Sequence, residues 1–488
     1  MTIQEADINL LPDPAPLVGG ERLTSTSGGV HQHVYPATGK PTVEVPMAGP
    51  ADVDRAISTA RAATESWRRT GPDTRRRLMN DLARALVARA DELAALQIVE
   101  NGTPQTVAAS FPHMIADHLE YAAGWCDKIV GEVNPVWPVP GFDYSILEPY
   151  GVVAIIIPWN SPLYSIGSII APALAAGNCV VVKPPELTPF TSLRFAEIAL
   201  EVGFPPGVIS ILPGGGEAGS SLVAHPGVDK IHFTGSGPTA QRIIQAASAN
   251  LTPVALELGG KSANVVFADA DLDAAAERAV GFSLQLSGQG CINGTRALVQ
   301  DAVFDEVVEL CRRKAEALKP GDPHSADTAI GPVITNTACE RIMGFIDRAV
   351  AEQQARLVTG GTRLSGEFAD GYYIAPTVFA DVPADSEIAV HEIFGPVLSI
   401  LRFTDEEDAI RIANSTRYGL ASYVQTGDVA RAHRMASALD AGMVWINGSG
   451  GLPPSVPFGG IKQSGQGRLG GKQGIAEFSR TKNVWIGM

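Results

Sequence analysis

Between residues 150 and 260, short apolar runs rich in β-branched residues alternate with helix-patterned segments. Strands are expected at Val152–Ile157, Val180–Lys183, Val208–Leu212, Lys230–Phe233 and Val254–Leu258, with helices at about 191–202, 217–224 and 238–248. Runs that stay apolar at every position suit strands covered on both faces, so the pattern predicts a parallel sheet between layers of helices. A second alternating pattern runs from 263 to 447. There, Thr404-x-x-Glu407 reads as a capping box opening a helix at 405–414, and Gly442 fits the end of a helix that starts near 428. Upstream, residues 51–101 read as consecutive amphipathic helices. Asp52 and Asp54 sit in a first turn, Pro72 at a start and Asn101-Gly102 at a stop. Their arginines (Arg68, Arg69, Arg75, Arg76, Arg77) read as a solvated face.

Two segments stand apart from this pattern. Lys128 to Pro149 holds Trp137, Pro138 and Pro140 and then alternates from Phe142 to Leu147, which suits a hairpin that leaves its domain. The Gly-rich tail, roughly 453–488, ends in an apolar strand at Asn483–Ile486. Pro149 to Val182 carries no charged residue and is long enough to span a bilayer, but Pro158, Asn160, Pro162, Pro172, Gly177 and Asn178 interrupt it. It reads better as two buried strands, Gly151–Ile157 and Asn178–Lys183, flanking a short helix.

Composition narrows the function. The 488 residues carry a formal net charge of −15, so a phosphate backbone is repelled and nucleic acid is not an expected partner. Five cysteines with no C-x-x-C pair argue against a disulfide framework and for a reducing, cytoplasmic setting. The acidic, Pro-rich start lacks the basic-then-apolar order of a signal peptide.

The sharpest chemical signal is Gly288-Gln289-Gly290-Cys291, a cysteine in a glycine-flanked turn behind a helix at about 273–286. A thiolate there is accessible, and Gly290 lets a ligand approach closely. Glu257 ends a strand in Glu257-Leu258-Gly259-Gly260-Lys261, where open α/β sheets place ligand-handling groups, and is a candidate base. Alone, that carboxylate reads more readily as a surface salt bridge, and the cysteine as a buried structural one. Two glycine turns, Pro213–Gly216 and Phe233–Pro238, suit a pyrophosphate at a helix N-terminus, although neither is a full dinucleotide fingerprint. Asn160, between Pro158 and Pro162, is a stiff amide suited to an oxyanion. Lys183-Pro184-Pro185-Glu186 offers a cation and a carboxylate for ribose hydroxyls. His31-x-His33 reads as a loop accident, and no metal is expected.

In their order, these pieces resemble the aldehyde dehydrogenase superfamily. Pro158-Trp159-Asn160, Lys183-Pro184-Pro185-Glu186, Phe233-Thr234-Gly235-Ser236, Glu257–Lys261 and Gly288–Cys291 are joined by Glu392-Ile393-Phe394-Gly395-Pro396-Val397, Trp445-Ile446-Asn447 and Pro457-Phe458-Gly459-Gly460 running on to Arg468. The resemblance implies an NAD-dependent, hydrolytic aldehyde dehydrogenase with two doubly wound parallel-sheet domains, Rossmann-like and catalytic, plus a small β oligomerisation element. The division it implies is 1–127 for the N-terminal part of the cofactor domain, 128–149 for the hairpin, 150–257 for the dinucleotide-binding domain, 258–466 for the catalytic domain and 467–488 for the tail.

The same resemblance implies roles. Cys291 would be the nucleophile, Glu257 the base, and Asn160 with the Cys291 N–H the oxyanion hole. Lys183 and Glu186 would hold the adenosine ribose, Ser236 the pyrophosphate, and Glu392 and Phe394 the nicotinamide ribose. Ile156, Pro158, Trp159, Gly216, Phe233, Gly235 and Leu258 would complete the NAD site. His391, Leu286 and Leu469 depart from the family pattern. A CoA-acylating relative or a redox-silent protein of the same fold are the alternatives, and the Glu257 carboxylate argues for hydrolysis. A homodimer or homotetramer with no membrane contact is expected. The substrate expected is a bulky apolar aldehyde, because Ser161, Ser165, Ser168, Gly290 and the loop Gly448–Gly451 leave space, Ile292, Leu452 and Phe458 wall it, and no Arg or Lys is in view to pair a carboxylate. Trp125 or Tyr164 filling that space would make the pocket ordinary.

Overall fold

The computed structural model describes residues 3–353, 355–448 and 451–487. Its first sheet has eight strands in the order Glu21–Arg22, Leu17–Val18, Ile209–Ile211, Cys179–Lys183, Val152–Ile156, Lys230–Thr234, Val254–Glu257, Gly465–Gln466. The five central strands are parallel, and Val152–Ile156 and Cys179–Lys183 are buried at every position, as the uniformly apolar runs require. Both edges are antiparallel and made of two-residue strands, too short to leave a periodic signal. The intervening helices Phe190–Glu201, Gly216–Ala224 and Gly237–Ala247 fall within a residue of their expected places. The helix after Val152–Ile156 is not short. It runs from Pro162 to Ala176, with all but Tyr164 buried, so it offered no amphipathic period to measure. Pro162 sits in its first turn, where a missing N–H costs nothing.

The second sheet has the order Arg356–Thr359, Thr377–Ala380, Val397–Phe403, Arg296–Gln300, Ala263–Val266, Ala421–Gln425, Met443–Ile446, and only its first strand is antiparallel. Side chains alternate between two cores. Val265, Leu298 and Leu401 join one, and Val266, Val299 and Ile400 join the other.

Two helix-end readings shift. The helix Glu406–Asn414 is capped by Asp405, which accepts from Asp408 N at 2.9 Å, while the Asp408 carboxylate returns to Thr404 N at 3.1 Å. The box is therefore closed by Asp408, not Glu407. The helix Val429–Ala438 ends before Gly442. That glycine serves a close approach instead, since a Cβ on it would lie 1.8 Å from the Gly459 carbonyl oxygen.

The hairpin segment forms strands Val133–Asn134 and Gly141–Pro149, and the tail strand is longer than expected, Ser479–Gly487. It pairs antiparallel with Gly141–Pro149 of the same chain over nine registered positions. The arginine face is solvated, as expected, and carries ion pairs. Arg69 meets Glu65, Arg77 meets Asp81, Arg76 meets Asp127, and Arg68 reaches Glu148 at 2.6 Å. His31 and His33 lie on a strand, Val30–Tyr35, not in a loop, and the His33 ring is held by Thr42 and the Glu100 carbonyl. Among the described residues, no helix is long and apolar enough to cross a membrane.

Candidate active site

After the helix Leu272–Leu284 the chain turns through three consecutive left-handed residues, Leu286, Ser287 and Gly288. Side-chain bonds hold this strained turn. Ser287 Oγ donates to the Gly331 carbonyl at 2.8 Å, and Gln289 Oε1 accepts from Ile334 N at 2.9 Å. Gly288 admits no side chain, since a Cβ would stand 1.9 Å from the Gly395 oxygen. The turn delivers Cys291 to the wall of a cavity of about 290 Å³, opposite Asn160 and Tyr164. Burial pushes the Cys291 thiol up to about 12. The nearby carboxylates of Glu392 and Glu257 add to this, and the backbone N–H groups of Cys291 and Ile292 oppose it.

Asn160 follows the strand Val152–Ile156 and donates from Nδ2 to the Gln289 carbonyl at 2.8 Å. That bond fixes the amide and leaves its second N–H unused, since an amide nitrogen carries two. Glu257 is treated differently. It ends its strand buried rather than on the surface, behind the cavity and not among its lining residues. Gly459 permits this, because a Cβ there would meet Glu257 Oε1 at 2.8 Å. Glu257 Oε2 has no hydrogen-bond partner, and desolvation raises its carboxyl well above the ordinary range, Arg468 pulling back and Glu477 adding to the rise.

A second cluster sits at the C-terminal ends of the first sheet's parallel strands, where the strand order reverses between Val152–Ile156 and Lys230–Thr234. Lys183 ends its strand buried, donating to the carbonyls of Pro184 (3.2 Å) and Gly214. Desolvation pushes it down to about 8, against the pull of Glu186. Gly216 opens one helix, and Ser236 stands just before another that starts at Gly237. At both Gly216 and Gly237 a Cβ would meet nothing within 4 Å, so the two N-termini face free space. Gly235 lies under the Phe233 ring, and its N–H donates to the Glu257 carbonyl at 3.0 Å. Ile156 and Leu258 are buried, and Pro158 and Trp159 are half-buried. From the second sheet's side, Glu392 accepts from Gly260 N at 2.9 Å, and burial moves it up to about 7. Phe394, itself left-handed, meets Trp159 edge-on with ring centroids 5.4 Å apart. Open helix N-termini, a buried cation, a carboxylate above it and a second carboxylate beside the cysteine fit a dinucleotide.

A model of the aldehyde dehydrogenase family matches residues 23–484. The chain belongs to the aldehyde dehydrogenase family. Aldehyde oxidation is its activity. Solved relatives agree in fold. PnpE from Pseudomonas sp. WBC-3 is 38% identical, with 97% of each chain covered and a TM-score of 0.94. PnpE in complex with nicotinamide adenine dinucleotide superposes at TM-score 0.95 and 38% identity, covering 97% of this chain and 98% of that one. A Staphylococcus aureus betaine aldehyde dehydrogenase in complex with NAD+ is 34% identical, with 99% and 97% covered and a TM-score of 0.95.

Sequence reasoning missed most of the aldehyde dehydrogenase's cavity wall. Val107, Phe111 and Met114 come from the N-terminal helices, and Phe282, Tyr423 and Trp445 form a stack with centroids 4.8 and 5.1 Å apart. Of the serines, Ser161 lines this cavity, Ser165 lines neither it nor its neighbour, and Ser168 belongs to the neighbour. Gly448 and Gly451 are described, but Ser449 and Gly450 of the expected loop lie outside the described residues. Tyr164 borders the space without filling it, and Trp125 packs in the first core. Of the departures from the family pattern, Leu286 lines the cavity, Leu469 lines its neighbour, and His391 is exposed.

Proposed function

We propose that this NAD-dependent aldehyde dehydrogenase oxidises a bulky apolar aldehyde to its carboxylic acid through a covalent cycle on Cys291, with Glu257 as base. The observation that carries the reading is the meeting of Cys291 and the fixed Asn160 amide on one apolar cavity, with an unpartnered buried carboxylate behind the thiol. Its raised carboxyl makes Glu257 a stronger proton acceptor than an exposed one, suited to take a proton from water. The Cys291 thiol gives its proton to solvent, and the sulfur adds to the carbonyl carbon. The negative oxygen is met by the free N–H of Asn160 and the Cys291 N–H. NAD+ held in the neighbouring site would supply the hydride acceptor. Glu257 takes a proton from a water that attacks the acyl carbon and passes it to the sulfur as the acid leaves, which restores the Cys291 thiol.

Lys183 and Glu186 would hold the adenosine ribose, Gly216 and Ser236 the pyrophosphate, and Glu392 with Phe394 the nicotinamide ribose. Trp159, Phe233 and Gly235, over Ile156, Pro158 and Leu258, complete the site. The Glu186 charge favours free ribose hydroxyls over a 2′-phosphate, hence NAD over NADP. The protein works in the cytoplasm, a setting its five unpaired cysteines suit, and as a homodimer or homotetramer.

Cys291→Ala is expected to abolish NADH formation from every aldehyde while NAD+ still quenches tryptophan fluorescence. NADH formation by that variant would overturn the assignment. Wild-type turnover should not depend on CoA.

A further inference from the structure

Beside the acyl cavity lies a second cavity of about 320 Å³. The two share Tyr164, Trp445, Leu452 and Phe458, which line both. The second chamber is mostly apolar, with Met443, Val456 and Leu469 on its wall, and His118 and Ser168 are among its polar side chains, beside Tyr164 and Trp445. Ser168 stands one helical turn after Tyr164 on Pro162–Ala176, where a larger side chain would point into the chamber. His118, on Phe111–Ala123, is 8% exposed and packs edge-on against Tyr164 at 5.5 Å. Its Nε2 has no hydrogen-bond partner. An atom left unpaired in this way carries a desolvation penalty, so a ligand that pairs it gains by doing so.

We propose that the acyl site continues into this second chamber, and that the substrate is an elongated apolar aldehyde whose far end carries a hydroxyl received by His118 and Ser168. This rests on the reading of the Cys291 cavity as the acyl site. A hydroxyl donates and accepts, so it satisfies the free imidazole nitrogen in either tautomer. Burial holds His118 down to about 4, the Leu452 carbonyl recovering only part of the loss, so the ring is neutral at pH 7. Ser168 Oγ donates to the Ser165 carbonyl at 3.3 Å, which leaves its lone pairs to accept. No Lys, Arg, Asp or Glu lines either cavity among the described residues, so a charged tail has no counter-ion there. Length is recognised by the chamber, and the terminal group by His118.

The test compares kcat/KM for propanal, decanal and ω-hydroxydecanal, read as NADH, in wild type, His118→Leu and Val456→Trp. Wild type should favour ω-hydroxydecanal over decanal by about tenfold, and both over propanal. His118→Leu should erase the preference for the hydroxyl and keep that for length. Val456→Trp, at a 43% exposed position where a larger side chain leaves folding intact, should lower both long aldehydes relative to propanal by about tenfold. Unaltered ratios in Val456→Trp, with NADH formed normally, overturn the second chamber and leave the acyl site standing. A hydroxyl preference that survives His118→Leu overturns the role of that ring. No NADH from any aldehyde in wild type overturns both readings together.

Discussion

Glu257 concentrates the tension of the molecule in one side chain. A carboxyl buried without a hydrogen-bond partner binds its proton more tightly folded than unfolded. Stability from this group is therefore fully present below the ordinary carboxylate value and is lost as pH rises through the folded one. Glu257→Gln removes that dependence. Its melting temperature should move upward relative to wild type as the buffer goes from pH 5 to pH 9. A constant gap across that range would show that the carboxylate is not desolvated. Kinetically the variant should release NADH in a burst and then turn over slowly, by on the order of 10²–10⁴-fold, the usual worth of a positioned base. The position of such residues at a strand end or beside a glycine turn was legible in the sequence because motifs report it. The left-handed run at Leu286–Gly288 was not, since two of its three residues are types that rarely adopt that backbone. Tertiary bonds from Gly331 and Ile334 impose it.

Elements were readable where they were long or uniformly buried. Central strands announced themselves by unbroken apolar runs, and Pro72 and Asn101-Gly102 marked helix ends correctly, Gly102 being left-handed at φ 74°. Failures came where the decisive partner was remote. Gly442 answers to Gly459, and the acyl cavity draws its wall from five separated stretches of chain. Glu148 shows the same logic at a junction. Buried on the long hairpin strand, it accepts from Arg68 of the first long helix at 2.6 Å and from Lys482 of the tail at 2.5 Å. Its carboxyl is held below the usual range, chiefly by the Lys482 hydrogen bond. Glu148→Ala should loosen the tail strand without touching catalysis. Hydrogen exchange at residues 479–487 should quicken about two- to fivefold, as for pairs worth about 0.5–1 kcal/mol. Unchanged protection there would mean that backbone pairing alone fixes the strand.

At the scale of the whole molecule, two parallel sheets carry the chemistry and a three-stranded ribbon stands beside them. The ribbon exposes Val133, Trp137, Phe142, Trp485 and Ile486, an apolar burden unusual for a surface that meets only water. The tail strand does not leave its own chain to find a partner, but the ribbon's outer edge and these side chains suit contact with a second copy. Light scattering at micromolar concentration should give a dimer or tetramer, and a monomer would count against the ribbon as an interface. The catalytic reading spans both sheets, since Asn160 and Glu257 belong to the first and Cys291 and Glu392 to the segments around the second.

That union is tested most directly by trapping the acyl group. Glu257→Gln mixed with NAD+ and benzaldehyde, quenched in acid within the burst and digested, should yield the Cys291 peptide carrying one benzoyl group by mass spectrometry. An NADH burst without that adduct, or with the benzoyl group on Cys126, Cys179, Cys311 or Cys339, would contradict covalent catalysis at Cys291.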